Sequence, residues 1–373
     1  MTLPTYYERF NTDQEIKQGL RTPERPAKCQ HRKKFIFHVL GAAALIYYGV
    51  HELQQHVSFA SLLHAVPILG GKHCYSPSSK LPTHYTLSNG AEIPTVALGV
   101  WQAGKGEVGA AVKTALAAGY RHIDGAYRYN NEAEVGLAIK ESGIPREDIW
   151  LTSKLWNTYH APEDIEPVLD ESLASLGTDY LDLYLIHWPV ATNKDGSLNM
   201  ELTENPYPTW QKLEEMVEKG KVRNIGVSNF NIRRLQNLTA NPLKIKPVIN
   251  QVELSFWNPQ PELLKWSKEN NILLEAYSPL GSTGRVGASL SVPEVKEIAA
   301  ELGITPAQVI ISWSVQRGTV VLPKSVTPAR VVENLHITKL PQASFDKLEK
   351  AAVSHKPERG LDPSKDWGVD IFE

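Results

Sequence analysis

The most restrictive feature of this sequence is an alternation that starts near residue 84 and runs through most of the chain. Short apolar runs of strand length recur at TVALGV (95–100), RHID (121–124), IWLTSK (149–154), LDLYLIH (181–187), VRNIGVS (222–228), PVINQVE (247–253), ILLEAYS (272–278) and TVVLPKS (319–325). Between them lie segments with helical spacing, such as EVGAAVKTALAAG and EDIEPVLDESLASLG. A chain that inserts a helix between successive strands builds a parallel sheet, and eight such units predict a single (β/α)₈ barrel. Ahead of it, HYTLSNGAEIPTV carries Asn89 and Gly90 between two alternating segments, which predicts an N-terminal β-hairpin. Barrels of this kind place their chemistry at the carboxyl ends of the strands. Asp124, Lys154, His187, Ser228, Gln251, Tyr277 and Lys324 fall at or near those ends and are expected to converge on one mouth.

Composition narrows the class of partner. The 373 residues carry a formal charge of -2 and are 42% apolar. That argues against a nucleic-acid partner, which needs a concentrated basic face. The two cysteines, Cys29 and Cys74, exclude a disulfide framework.

The N-terminal region reads differently from the barrel at 81–373. Residues 1–34 are polar, with basic residues gathered at Arg21, Arg25, Lys28, Arg32, Lys33 and Lys34. FIFHVLGAAALIYYGV (35–50) then carries no formal charge. Such a run after a basic flank predicts a membrane helix. Its helical length of about 24 Å is short of a hydrocarbon core of roughly 30 Å, so an interfacial anchor fits as well as a single pass. The competing reading is an appended amphipathic or core helix, which leaves the protein cytoplasmic. A 34-residue charged region is too long for a signal peptide, and Glu8, Asp13, Glu15 and Glu24 do not suit a transit peptide. Residues 51–80 read as a linker.

GKGEVG (104–109) imitates a dinucleotide-binding loop: it follows a strand, opens a helix and precedes Asp124. The unbroken alternation, with no second domain, favours a glycine-rich βα loop instead.

The strand-end residues suggest a chemistry. A buried Lys154 needs a carboxylate, which Asp124 provides. A lysine beside a phenol lowers its pKa from about 10. Tyr129, five residues after Asp124, can then give a proton to a carbonyl oxygen as hydride reaches the carbon. A neutral His187 can hydrogen-bond the same oxygen. Singly, each of these residues is more often a cap, an ion-pair partner or packing; their combination carries the reading.

The motifs GYRHIDGAYRYNNE, SKLW, DLYLIHWP, IGVSNF, AYSPLG and LPKSVTPARVVEN stand in this order across about residues 84–355, and together they resemble the aldo-keto reductase family. The tail HKPERGLDPSKDWGVDIFE resembles its fungal members and is expected to fold over the barrel mouth. The resemblance implies NADPH-dependent reduction of an aldehyde or ketone, with Asp124, Tyr129, Lys154 and His187 as catalytic tetrad and Tyr129, not Tyr127, as acid–base. Tyr277 is then the nicotinamide's stacking partner, with Ser228, Asn229 and Gln251 on its carboxamide. Ser278, Leu280 and Ser282 are further cofactor contacts. Lys324, Ser325, Thr327 and Arg330 stand where the eighth strand passes into the eighth helix, a phosphate-binding place in barrels. The family's pattern puts the Lys and Arg on the 2′-phosphate, and Glu333 and Asn334 on adenine. This favours NADPH and leaves NADH as an alternative. Trp101, Trp156, Trp188 and Trp257 match positions that line the substrate pocket, suiting carbonyl compounds with apolar bodies. Arg128 stands at the rim or faces an anionic or hydroxylated substrate.

The expected partner is a small carbonyl compound from secondary or sugar and polyol metabolism, bound by a monomer without a metal. A non-catalytic NADPH-binding or structural barrel subunit is the alternative, disfavoured because all four tetrad residues are present. A metal-dependent barrel hydrolase would need clustered histidines. His122 and His187 are too few, and the barrel has no H-x-H.

Overall fold

The computed structural model describes residues 80–282 and 284–372. The basic tail, the candidate membrane segment and all but the last residue of the linker lie outside them. Among the described residues no single helix is long and apolar enough to cross a membrane.

The hairpin forms as its sequence predicts. His84–Thr86 (β1) pairs antiparallel with Glu92–Pro94 (β2), and Tyr85 faces Ile93. The Leu87 N–H reaches Ala91 O at 2.8 Å and the Gly90 N–H reaches Leu87 O at 2.9 Å. Gly90 holds φ at +87°, a left-handed value that costs glycine no steric penalty. Leu87 and Ile93 then plug the amino end of the barrel against Leu183, Leu185, Ile249 and Val320.

The barrel strands are Leu98–Gly99 (β3), His122–Asp124 (β4), Trp150–Leu155 (β5) and Leu181–Ile186 (β6). A small antiparallel ribbon, Ala191–Thr192 (β7) with Leu198–Asn199 (β8), interrupts them. Val222–Ser228 (β9), Ile249–Glu253 (β10), Leu273–Tyr277 (β11) and Val320–Leu322 (β12) complete the set. Neighbours pair in parallel, in the order β12-β11-β10-β9-β6-β5-β4-β3. The seam closes through a Val96–Val321 bridge, with the Ala97 N–H on Val321 O at 2.9 Å and the Gly99 N–H on Pro323 O at 3.1 Å. The first and the last barrel strands fall furthest short of their predicted runs, covering two and three residues. Pro323 has no N–H and ends the last ladder at Leu322, so Lys324 stands beyond the strand.

Eight helices follow the strands: Glu107–Ala118, Glu132–Ser142, Pro162–Leu176, Tyr207–Glu218, Ile232–Thr239, Pro261–Glu269, Pro306–Gln316 and Pro328–Leu335. Their apolar faces (Val108, Val112, Leu169, Leu213, Leu235) bury against the outward side chains of the strands. Pro293–Leu302 and Gln342–Ser354 form an added layer around Trp313 and Leu348. Of the glycine-rich GKGEVG, residues 104–106 lie in the βα loop and 107–109 open the first helix. The Gly106 N–H is already taken by the Glu134 carboxylate at 2.8 Å.

Candidate active site

Register brings the four chemical residues together. Asp124 on β4 pairs with Thr152 on β5, and Lys154 lies two residues further along the same face. Lys154 pairs with Leu185 on β6, and His187 again lies two residues on. Lys154 is wholly buried. Its Nζ donates to both Asp124 oxygens at 2.8 and 2.9 Å, to Gly125 O at 2.8 Å and to Tyr129 Oη at 3.3 Å. Tyr129 ends the short 3₁₀ turn Tyr127–Tyr129. Tyr127, in the same turn, sends its hydroxyl to Glu171 at 3.0 Å instead. The His187 ring stands edge-on to Tyr129 at 5.8 Å and to Trp156 at 5.2 Å. Its buried Nδ1 has no hydrogen-bond partner among the described residues.

The electrostatics correct one expectation. Lys154 does contact the phenol, yet Tyr129 is held well above its ordinary 10.0, by burial first and the Asp124 charge second. The ammonium is largely neutralised by the carboxylate it grips, so burial decides the sign. Tyr129 therefore keeps its proton at neutral pH, the state an acid must start from. Burial, then the Lys154 and Arg128 charges, hold His187 well below 6.5, so it is neutral, as expected.

The residues assigned to the carboxamide bond one another. Ser228 Oγ donates to Gln251 O at 2.8 Å. Asn229 Nδ2 donates to His187 O at 3.0 Å, and Asn229 Oδ1 accepts the Tyr277 hydroxyl at 2.7 Å. Neither Ser228 nor Asn229 caps the next helix; Asn231 does, accepting the Arg234 N–H at 2.9 Å. Asn229 and Ser278, each directly after a strand, hold positive φ of 65° and 50°. Such strain persists where the surroundings over-determine the backbone. Gln251 Nε2 is committed to Asp124 at 2.8 Å and to Glu275 at 2.9 Å, so only its oxygen remains to meet an amide.

Glu275 was not singled out in the sequence, although a carboxyl inside the apolar run LLEAY is a signal. It is wholly buried and pushed up to about 8 by burial, then by Asp124. Its Oε1 faces His122 Nε2 at 3.8 Å. Burial holds that histidine down at about 4.

A groove of about 570 Å³ runs beside this cluster. Trp101, Ser278, Leu280, Ser282, Lys324, Ser325, Arg330, Glu333 and Asn334 line it, so eight of the assigned cofactor residues share one surface. Thr327 stands at its edge as the N-cap of the eighth helix, its N–H on Ser325 Oγ at 3.1 Å. Lys324 Nζ lies 3.1 Å from Gln102 O. Glu333 accepts the Thr305 hydroxyl at 2.6 Å. The lining fits a long anionic cofactor: Lys324 and Arg330 stand by a helix start, and Ser278 follows directly on Tyr277. Among the described residues no three His, Cys, Asp or Glu side chains are grouped to hold a metal ion.

The tryptophans divide. Trp156 and Trp188 share a cluster with Trp367 of the tail, at 6.3 and 5.2 Å between rings. Trp188 is only 1% exposed and backs the wall more than it lines it. Arg128 lies over the Trp156 ring at 5.4 Å. Trp101 belongs to the groove instead. Trp257 stands apart, packed on Phe256 and His355 with its Nε1 on Ser289 Oγ at 2.9 Å. Trp367 and Phe372 were not named from the sequence; two aromatic residues in a polar tail were the available sign.

Comparison with known proteins agrees with this geometry. The profile of the aldo/keto reductase family matches residues 95–353. The chain is 44% identical over 296 residues to glycerol 2-dehydrogenase (NADP(+)) of Saccharomyces cerevisiae, covering 75% of this chain and 94% of that one. It is 42% identical over 313 residues to D/L-glyceraldehyde reductase of Hypocrea jecorina, covering 77% and 93%. The aldose reductase structure from Schistosoma japonicum superposes with a TM-score of 0.70 at 38% identity, covering 78% of this chain and 97% of that one. The chain belongs to the aldo/keto reductase family.

Proposed function

We propose that this enzyme reduces small polyol-type aldehydes, of the glyceraldehyde kind, to alcohols with NADPH. The observation that carries the reading is the buried Lys154 ammonium, shared by Asp124 and Tyr129 beside a neutral His187. Two relatives named for glycerol and glyceraldehyde support the substrate class. NADPH, when bound, supplies the hydride. The protein's own residues do the rest. His187 orients the carbonyl oxygen by a hydrogen bond. Tyr129 delivers its proton to that oxygen as negative charge develops there. Lys154, held by Asp124, stabilises the phenolate left behind. Lys324 and Arg330, with Ser325 and Thr327, hold the 2′-phosphate. Glu333 and Asn334 flank adenine, while Ser278, Leu280 and Ser282 border the groove between. Tyr277 stacks on nicotinamide; Ser228, Asn229 and Gln251 meet its carboxamide.

The test is loss of absorbance at 340 nm with NADPH, and separately with NADH, across glyceraldehyde, aldoses, aromatic aldehydes and ketones. Turnover of glyceraldehyde with NADPH is expected. NADPH binding without turnover of any carbonyl would favour a non-catalytic barrel subunit instead.

Residues 35–50 are the proposed tether of this enzyme to a membrane, on the strength of their uncharged run after a basic flank. Fractionation of the full chain beside one starting at Leu81 tests it. Only the full chain is expected in the membrane pellet; a soluble full chain ends the idea.

A further inference from the structure

The C-terminal tail supplies an aromatic wall, and the structure shows what holds it. Glu253 ends β10, two residues beyond Gln251, and is 2% exposed. One carboxylate oxygen accepts the Gly360 N–H at 2.7 Å; the other accepts the Leu361 N–H at 2.9 Å. Two consecutive backbone N–H groups thus close on one buried carboxyl, a charge-assisted pair. The strand end is itself fixed, because Glu253 O accepts from Asn258 Nδ2 at 3.1 Å and Gln260 Nε2 at 2.7 Å.

The same tail segment also lies close to the loop that borders the cofactor groove. A Cβ added at Gly360 would lie 2.8 Å from Ser282 Cβ and 3.3 Å from Glu253 Oε1. Glu358 pairs with Arg285 of that loop, and its N–H reaches Trp257 O at 2.8 Å. A second anchor follows downstream, where the buried Arg234 donates to Asp370 O at 3.1 Å. Between the two anchors stands Trp367, in ring contact with Trp156 and Trp188.

We propose that Glu253 is a specificity-determining positioning residue: it clamps Gly360 and Leu361 against the Ser282 loop and so sets where Trp367 meets the substrate. The inference rests on the carbonyl-reducing function proposed above. In this proposal Glu253 acts only through the tail.

The experiment approaches the clamp from both sides in the full-length protein. Glu253→Gln replaces one acceptor oxygen with an NH₂ that cannot accept a backbone N–H. Gly360→Ala keeps the carboxylate itself and sets a methyl against both Ser282 Cβ and Glu253 Oε1, which pushes the tail off the clamp. For each variant kcat and KM are measured with glyceraldehyde and benzaldehyde, and the NADPH Kd by nucleotide fluorescence. The ratio of kcat/KM for the two aldehydes should change at least about fivefold in both variants. The change should lie in KM, with kcat held within about twofold. The double variant should add nothing, because both substitutions open one clamp. An unchanged ratio, an equal fall of kcat for both aldehydes, or multiplying effects in the double variant would each overturn the clamp. If Glu253→Gln does not fold, Gly360→Ala alone decides, since it leaves the barrel interior intact. Wild-type turnover separates the two readings. With it, an unchanged ratio overturns the clamp alone; without turnover of either aldehyde, the proposed function falls and the clamp with it.

Discussion

The amino and carboxyl ends of this barrel share the same eight strands and differ in how their charges are settled. At the amino end Asp182 takes Arg146 at 2.8 Å and Arg223 at 3.2 Å, and accepts the Leu151 N–H at 3.0 Å. Both guanidinium groups lie over the Tyr180 ring, at 4.2 and 3.8 Å. At the carboxyl end one buried ammonium serves a carboxylate, a carbonyl and a phenol, while Tyr129, His187 and Glu275 are all held in their neutral forms. Each end opens a groove of similar size, about 550 and about 570 Å³. Volume therefore does not distinguish them. Shifted titration alone does not either, since Tyr85 and His122 are displaced toward the amino end; what the carboxyl end adds is a shifted phenol and imidazole beside one buried ammonium.

The strongest way to break this contrast is to remove Lys154. Lys154→Met leaves Asp124 buried with no cation, which should cost about 3–5 kcal/mol of stability along with activity. Denaturant unfolding reads the first, and a loss under about 1 kcal/mol would show that Asp124 finds another partner. Next comes Lys324→Ala at the groove. Loss of one charge-assisted contact should weaken NADPH binding by roughly 10–100-fold and NADH binding far less. Equal losses in a binding titration would remove phosphate recognition from this residue.

Glu275 sharpens the contrast through pH. Its folded value of about 8 stands above the ordinary 4.5, so the folded chain keeps a proton that the unfolded chain releases. That contribution is complete below about 4.5 and lost as pH rises through about 8. His122, held down at about 4, and His160, at about 3, act in the opposite sense, but only below 6.5. Between pH 6.5 and 8, stability should therefore fall with a slope of up to about 1.4 kcal/mol per pH unit from Glu275. Glu275→Gln should flatten that slope; an unchanged slope would place the titration elsewhere. The smallest effect belongs to the amino end. Arg223 is half exposed, so Arg223→Ala should change stability by less than about 1 kcal/mol and leave kcat/KM alone. A tenfold loss of activity would show that the two ends are coupled.

Much of this was legible in the sequence. Strand-length apolar runs gave the barrel because each needed burial on both faces, and the strand-end residues met because parallel register aligns them. The seam strands were overread, since Pro323 stops a ladder that hydrophobicity alone would continue. The Tyr129 shift was read with the wrong sign. The sequence reading paired Lys154 with Asp124 but weighed the lysine alone against the phenol, and the depth of burial that decides the sign is not written in a sequence. Trp257 was misplaced because a tryptophan in a loop carries no direction. The tail was expected over the barrel mouth, but its anchor Glu253 was not named, because their contact spans more than a hundred residues of chain.

We propose that acid catalysis resides in Tyr129 at the carboxyl end. It is tested most directly by kcat for aldehyde-dependent NADPH oxidation in Tyr129→Phe beside Tyr127→Phe. Both tyrosines occupy one turn, but only Tyr129 touches Lys154. Tyr129→Phe should lose at least about 10²-fold in kcat with NADPH binding retained, and Tyr127→Phe should remain near wild type. Near wild-type turnover in Tyr129→Phe, with the loss in Tyr127→Phe, would contradict the account.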